Sequence, residues 1–416
     1  MDDYSKINAC RICANTRLIE VLNLGTQTLT GLFPKSKSEK LAAGPLQLVK
    51  CDETGDSNAC GLVQLGHTYD KNVMYGSGYG YHSGLNPSMV KHLHGLVKEI
   101  TGLVNPKAGD LIIDIGSNDS TLLQGYSKGG PDLIGIDPTG TAFKKFYPAH
   151  IKLIPEFFSA GTVSKHFQNR KARIVTSIAM FYDLDSPMDF VQEVRSVLAE
   201  DGIWTLEQSY LPAMLEVDAY DTVCHEHLEY YGLRQIKWMA DRSGMKIVAV
   251  GLNDANGGSF RVTLAKKDAP YPEAEESVRR LLEKEKVLAG KGPYIAFRER
   301  VEKHRTELLS FIAEAKESGK KILGYGASTK GNVILQYCGL TEKDIPSIGE
   351  VNEDKFGRFT PGSKIPIIPE EEAKAQKPDY LLVLPWHFKE FIIEKEKDFL
   401  SSGGKLFFPL PRIEVV

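Results

Sequence analysis

The chain has 416 residues, enough for two or three domains of about 150 residues each. Hydrophobic residues make up 42% and charged residues 25%, with a net charge of -3. That balance leaves no broad basic face for nucleic acid or anionic lipid and points to small-molecule chemistry. The N-terminal residues lack a basic stretch followed by an apolar one, and no apolar run nears the roughly 20 residues that span a bilayer. The sequence thus predicts a cytoplasmic protein with neither nucleic-acid nor membrane partners, a monomer or small homo-oligomer.

Four of the six cysteines, Cys10, Cys13, Cys51 and Cys60, fall in the first 60 residues. Cys10-x-x-Cys13 brings two thiolates to one side of a tight turn. A second pair 37 intervening residues later completes a sulfur shell suited to structural zinc, since four thiolates leave no open position. With short strand-like segments at Leu46–Lys50 and Gly61–Leu65, residues 1–70 read as a small zinc-held module.

Next, Met74 to Gly84 is rich in glycine and aromatic residues, including Tyr79 and Tyr81, and is expected to act as a lid; Pro87 to Val104 has helical apolar spacing. Strands and amphipathic stretches then alternate to about residue 265, with strands expected at 111–115, 133–137, 174–178, 203–208, 247–250 and 260–264. This pattern predicts a doubly wound sheet in a central α/β domain, residues 71–268. The charged, helix-period stretch 270–319 reads as a solvated connecting helix pair. A second Rossmann-like α/β unit follows, giving a last domain over 269–416. Its turn, Gly324-Tyr325-Gly326-Ala327-Ser328-Thr329-Lys330, directs helix N-terminal amides and the Lys330 charge at an anion, with close strand–helix packing as the alternative use of the glycines.

The most specific stretch is Asp114-Ile115-Gly116-Ser117-Asn118-Asp119, at the end of an apolar strand and followed by Ile134-Gly135-Ile136-Asp137-Pro138. Gly116 permits a sharp turn beside a ligand, and Asp137, 23 residues after Asp114, is placed to accept from both ribose hydroxyls. Gly-x-Gly-x-x-Gly is absent, so a cofactor without phosphates is favoured, and S-adenosylmethionine fits.

Asp221-Thr222-Val223-Cys224-His225-Glu226-His227-Leu228-Glu229-Tyr230-Tyr231 concentrates acids, imidazoles, a thiol and phenols. His225 and His227 lie about 200° apart on a helix, so this is not a helical metal pair. A histidine beside a carboxylate suits a general base instead. Met180 to Leu184 and Glu207-Gln208-Ser209-Tyr210 end neighbouring strands and belong at the same carboxyl edge.

These motifs, in this order over nearly the whole chain, together with Asn352-Glu353-Asp354-Lys355-Phe356-Gly357-Arg358, resemble the S-adenosylmethionine-dependent C-methyltransferases of nucleotide-linked 4-keto-deoxy sugars. The resemblance implies a class I methyltransferase domain binding the donor through Asp114, Gly116, Asn118, Asp137, Pro138, Phe158 and Met180. It implies a C-terminal domain holding the nucleotide through Gly326, Ser328, Lys330, Asn332, Asn352 and Arg358. His227 is the implied base, Glu226 its acidic partner, and His225, Tyr182, Tyr79 or Tyr81 a donor to the enolate oxygen. Cys224 stands where the family has a tyrosine and Tyr182 where it has a histidine. An O- or N-methyltransferase on a nucleotide sugar, and a non-methylating or epimerase-like relative, are the competing expectations.

Overall fold

The computed structural model describes residues 4–70, 74 and 82–416, so the expectations for Tyr79 and Tyr81 lie outside the described residues. In the N-terminal region β1 (Tyr4–Lys6) pairs with β5 (His67–Tyr69), and β2 (Leu18–Thr28), β3 (Ala43–Cys51) and β4 (Val63–Leu65) form an antiparallel sheet. Alternate residues Leu46 and Leu48 of β3 are buried, as period-2 side-chain alternation requires for a one-sided sheet.

The central sheet begins with β6 (Leu111–Ile115), β7 (Asp132–Ile136), β8 (Ile151–Ile154), β9 (Ala172–Ile178) and β10 (Leu198–Ser209). Downstream, β11 (Glu229–Tyr230) leaves this domain and pairs with β4, so the fourth strand of the N-terminal sheet comes from residues near the histidines. The hairpin β12 (Met245–Asn253) and β13 (Ser259–Lys266) closes the central sheet in the order β12-β13-β10-β9-β6-β7-β8. The strands β6 to β10 run parallel, and β13 is antiparallel to β10. The expected strands are present; β8, only four residues long, has too short a pattern to be read from sequence.

Helix Pro87–Val104 starts where the Asn86 side chain accepts from Ser88 N, with proline at the first turn, and it ends on Asn105 in the left-handed region, φ 49°. Its Leu93, Leu96, Val97 and Ile100 pack on Ile112, Leu133, Ile174 and Ile203 of the sheet. Covering one face this way leaves the carboxyl ends of β6, β7, β9 and β10 free to bind ligands.

The stretch 270–319 forms two helices, Glu275–Glu285 and Gly292–Glu317, but the longer one is not solvated as expected. Its Tyr294, Phe297, Val301, Leu308 and Ile312 belong to one core shared by the N-terminal sheet and the last domain. Three- and four-residue spacing puts these side chains on one face, while the charges that dominate the composition occupy the other. The last domain holds β14 (Ile322–Tyr325), β15 (Ile348–Glu350), β16 (Ile367–Pro369), β17 (Tyr380–Val383), β18 (Lys405–Phe408) and β19 (Glu414–Val415), in the order β16-β15-β14-β17-β18-β19. All its pairings are parallel except that of the edge strand β19. Among the described residues no helix is long and apolar enough to cross a membrane.

Candidate active site and metal centre

The sulfurs of Cys10, Cys13, Cys51 and Cys60 all lie within 4.8 Å of one another, with Cys10–Cys60 and Cys13–Cys51 at 3.5 Å. Zinc–sulfur bonds of about 2.3 Å in a tetrahedron put sulfurs about 3.8 Å apart, so the cluster fits a closed structural zinc site. Between the first two ligands, Arg11 turns inward. Its guanidinium donates to Leu65 O (2.7 Å), His67 O (3.0 Å) and Thr68 Oγ1 (2.8 Å) and lies 3.6 Å from Glu229 of β11.

At the carboxyl ends of the central strands a cavity of about 340 Å³ is lined by Asp114, Gly116, Asn118, Asp137, Pro138, Phe158 and Met180, all seven of the cofactor residues expected from sequence. Gly116 has φ 72°, and an added Cβ would come within 3.1 Å of Met180 Cγ. Asn118 is also left-handed, φ 47°, which turns its amide to donate to Asp137 Oδ2 (2.7 Å). Asp137 Oδ1 accepts from Thr139 N (2.7 Å) and Thr139 Oγ1 (2.6 Å). A carboxylate has about four acceptor sites, so three internal bonds leave room for one ribose hydroxyl rather than the expected two. Asp114 is sealed under the cavity on Thr176 Oγ1 (2.6 Å), and burial pushes its carboxyl up to about 7. At the rim the Asn118 side chain accepts from Ser83 N (3.1 Å), and Asp119 accepts from Gly84 N (2.7 Å).

Glu207 and Gln208 close the β10 side of the same cavity. Glu207 is fully engaged: with His92, with Asn253 Nδ2 (3.0 Å) and with Arg261 Nε (2.8 Å). Burial raises its pKa, but His92 and Arg261 outweigh burial and the net shift is downward.

The segment 221–228 runs irregularly between the three domains. His227 Nδ1 donates to Thr222 O at 2.9 Å, which fixes the tautomer and leaves the Nε2 lone pair without a protein partner among the described residues. The ring lies 4.3 Å from that of Tyr182. Tyr182 and Ser209 line both the cofactor cavity and a small cleft shared with His227, Thr222 and Tyr230. Burial, aided by the charge of Lys330, lowers the His227 pKa to about 3, so its ring is neutral.

His225, the expected alternative, is turned the other way. It is buried against the Tyr69 ring (4.7 Å), with Nε2 3.4 Å from Gly44 O, outside both the cavity and the cleft. Glu226 also points from His227 toward the N-terminal region. It accepts from Thr30 Oγ1 (3.4 Å), a Cβ on Gly31 would meet its carboxylate, and burial raises its pKa. Cys224 is buried, with its thiol pushed well up by desolvation, which makes it an inert core group.

In the last domain the glycine turn is largely occupied by the chain itself. Glu350 accepts from Ala327 N (2.8 Å), Val351 N (2.8 Å) and Asn352 N (2.9 Å), and the Ser328 hydroxyl caps Gly331 N (3.0 Å). Gly326, φ 79°, makes room for Pro385, whose Cδ would lie 2.7 Å from a Cβ there, so close packing accounts for it. Asn332 donates to Thr30 O (2.8 Å) and Arg358 to Phe33 O (3.2 Å), seaming this domain to residues 30–33. Asn352 caps its own turn on Asp354 N (3.1 Å). Of the six residues expected at the nucleotide, Lys330 is the one whose charge acts on His227. Its Nζ donates to Asn256 O (3.2 Å) of the cavity wall, and its charge acts on Asp221 and His227. Asp221 Oδ2 in turn accepts from Trp386 Nε1 (2.8 Å). Gln208 stands at the carboxyl edge expected for its segment, but the placement of Lys330 beside His227 was not read from sequence, because it depends on which distant segment faces it.

The doubly wound sheet, the Asp114–Asp119 turn and the lined cavity define an S-adenosylmethionine-dependent methyltransferase. Family models match three parts of the chain: a zinc binding domain over residues 10–75, a methyltransferase domain over 89–250 and a C-methyltransferase C-terminal domain over 254–411. The C-methyltransferase NovU of Streptomyces niveus is 30% identical, covering 100% of this chain and 98% of that protein. The chain belongs to the C-methyltransferase family that includes NovU. Solved structures aligned with it include the YcgJ protein of Bacillus subtilis (14% identity, 42% of this chain and 99% of that one, TM-score 0.33). LepI in complex with S-adenosylmethionine also aligns (14% identity, 44% and 54%, TM-score 0.33).

Proposed function

We propose that the chain methylates C3 of a nucleotide-linked 4-keto-deoxy sugar, with His227 as the base. The observation that carries this reading is the His227 ring, whose Nδ1 is tied to Thr222 O, facing a cleft that shares Tyr182 and Ser209 with the cofactor cavity. Carbon becomes nucleophilic only when a proton beside a carbonyl is removed. His227 Nε2 takes that proton, the C–H electron pair moves into the enolate, and the carbanionic carbon then bonds to the methyl group. S-adenosylmethionine, when bound, supplies that methyl as an electrophile on sulfur, and the broken C–S pair stays on sulfur. Positioning and exclusion of water are the protein's share, together worth up to about 7–11 kcal/mol. Lys330 opposes protonation of His227 while the site is empty; once negative charge grows on the enolate oxygen, the same cation is compensated and the penalty falls. Glu226, held on Thr30, orients the segment rather than touching the ring.

The test is His227→Asn assayed with a panel of nucleotide 4-keto sugars. Turnover falls by about 10² or more while S-adenosylhomocysteine binding is kept. Exchange of the C3 hydrogen with deuterated water falls in step. Normal exchange in His227→Asn removes the base assignment, and a methyl group found on oxygen, nitrogen or another carbon removes the reaction.

A further inference from the structure

Gln208, the penultimate residue of β10 at its cavity end, is 2% exposed, and both halves of its amide, Nε2 and Oε1, are buried without a hydrogen-bond partner. Its neighbour Glu207, in the same wall, has both oxygens engaged. The contrast matters because an unpaired buried donor or acceptor carries a desolvation cost that folded proteins rarely leave uncompensated. The cavity that Gln208 lines is therefore where the partner belongs.

Strand order decides which ligand that is. From β7, which carries Asp137 at its tip, to β10 the sheet runs β7-β6-β9-β10. Three steps of about 4.8 Å place the two strands about 14 Å apart. A ribose held at Asp137 thus leaves the β10 side of the cavity to the methyl acceptor. That side also carries Ser209 and Tyr182, which open onto the cleft of His227.

We infer that Gln208 is the acceptor-binding residue of the site: its Nε2–H donates to one oxygen of the sugar while its Oε1 accepts from an adjacent hydroxyl. A primary amide presents a donor and an acceptor side by side, which matches two neighbouring oxygens of a hydroxy-ketone and rejects a purely apolar or purely anionic acceptor. The inference rests on the sugar reading above and adds to it the group that selects the acceptor.

The experiment compares wild type with Gln208→Leu and Gln208→Glu in three measurements: the unfolding midpoint without ligands, calorimetry with S-adenosylhomocysteine, and steady-state kinetics with the 4-keto sugar that wild type methylates. Gln208→Leu is expected to unfold at the same or a higher denaturant concentration, because it removes an unpaired buried amide. It should bind S-adenosylhomocysteine within twofold of wild type and raise the sugar KM tenfold or more; Gln208→Glu, which loses the donor, raises KM as well. A tenfold loss of S-adenosylhomocysteine affinity assigns the amide to the cofactor and overturns the inference. An unchanged KM in both variants means that only water fills the position, and a lower midpoint in Gln208→Leu means that the amide is a structural element; either result also overturns it. If wild type methylates no nucleotide 4-keto sugar, the sugar reading fails first and the acceptor role falls with it.

Discussion

Replacing Asp137 by asparagine tests the cofactor site most directly, because the structure says what each oxygen does. Oδ1 takes two donors from Thr139, so the asparagine oxygen stays on that side and its NH2 group replaces Oδ2. That NH2 then faces the Asn118 amide, a donor where an acceptor stood, and meets the ribose with a donor too. One charge-assisted bond to the ribose is lost, worth about 1.5–3 kcal/mol. At about 1.4 kcal/mol per factor of ten, binding of S-adenosylhomocysteine should weaken by roughly 10- to 150-fold. The orphaned Asn118 amide should also lower unfolding stability by about 1–3 kcal/mol. Calorimetry reads the first effect and denaturant unfolding the second. If stability falls and affinity does not, Asp137 serves only the turn, and the ribose lies elsewhere.

Two further outcomes are expected. Purified protein should carry one zinc per chain, and Cys13→Ser should lose the metal together with about 2 kcal/mol or more of stability, since metal binding contributes to folding in such sites. Full stability after chelation contradicts this. Desolvation lowers the pKa values of buried His225 and half-buried His227 to about 4 and about 3, so the folded protein keeps both neutral while the unfolded chain protonates below about 6.5. Unfolding therefore takes up protons, and stability declines as pH drops from about 6.5 toward 4, by up to about 1.4 kcal/mol per pH unit for each histidine. Removing one in His225→Asn should flatten the slope by one proton between pH 6 and 5; an unchanged slope refutes the burial argument.

The cofactor side of the site was legible in the sequence because its lining comes from short segments at strand ends, where local pattern reports position. Asp114, Gly116, Asn118 and Asp137 needed no distant information. The choice between His225 and His227 did. The Gly44 carbonyl and the Tyr69 ring claim one, and Thr222 and Tyr182 surround the other, so what distinguishes their surroundings is packing between distant segments. The same holds for Asn332 and Arg358, whose polar ends reach the backbone at residues 30–33. In helix Gly292–Glu317 the apolar spacing was present, but the surrounding charge density concealed the buried face.

The two-residue strand β11 has a consequence for biosynthesis. As the chain leaves the ribosome, β4 is complete long before Glu229 and Tyr230 exist, so its open edge must stay unpaired in the meantime. The thiolates can gather zinc early, yet the contacts from Arg11 to Glu229 and from Thr30 and Phe33 to Asn332 and Arg358 close only when later segments arrive. A nascent or truncated N-terminal piece is thus a metal-loaded but sticky intermediate. The last-made third of the chain finishes the first-made one, so separating the domains by cutting the gene should yield aggregation rather than working modules.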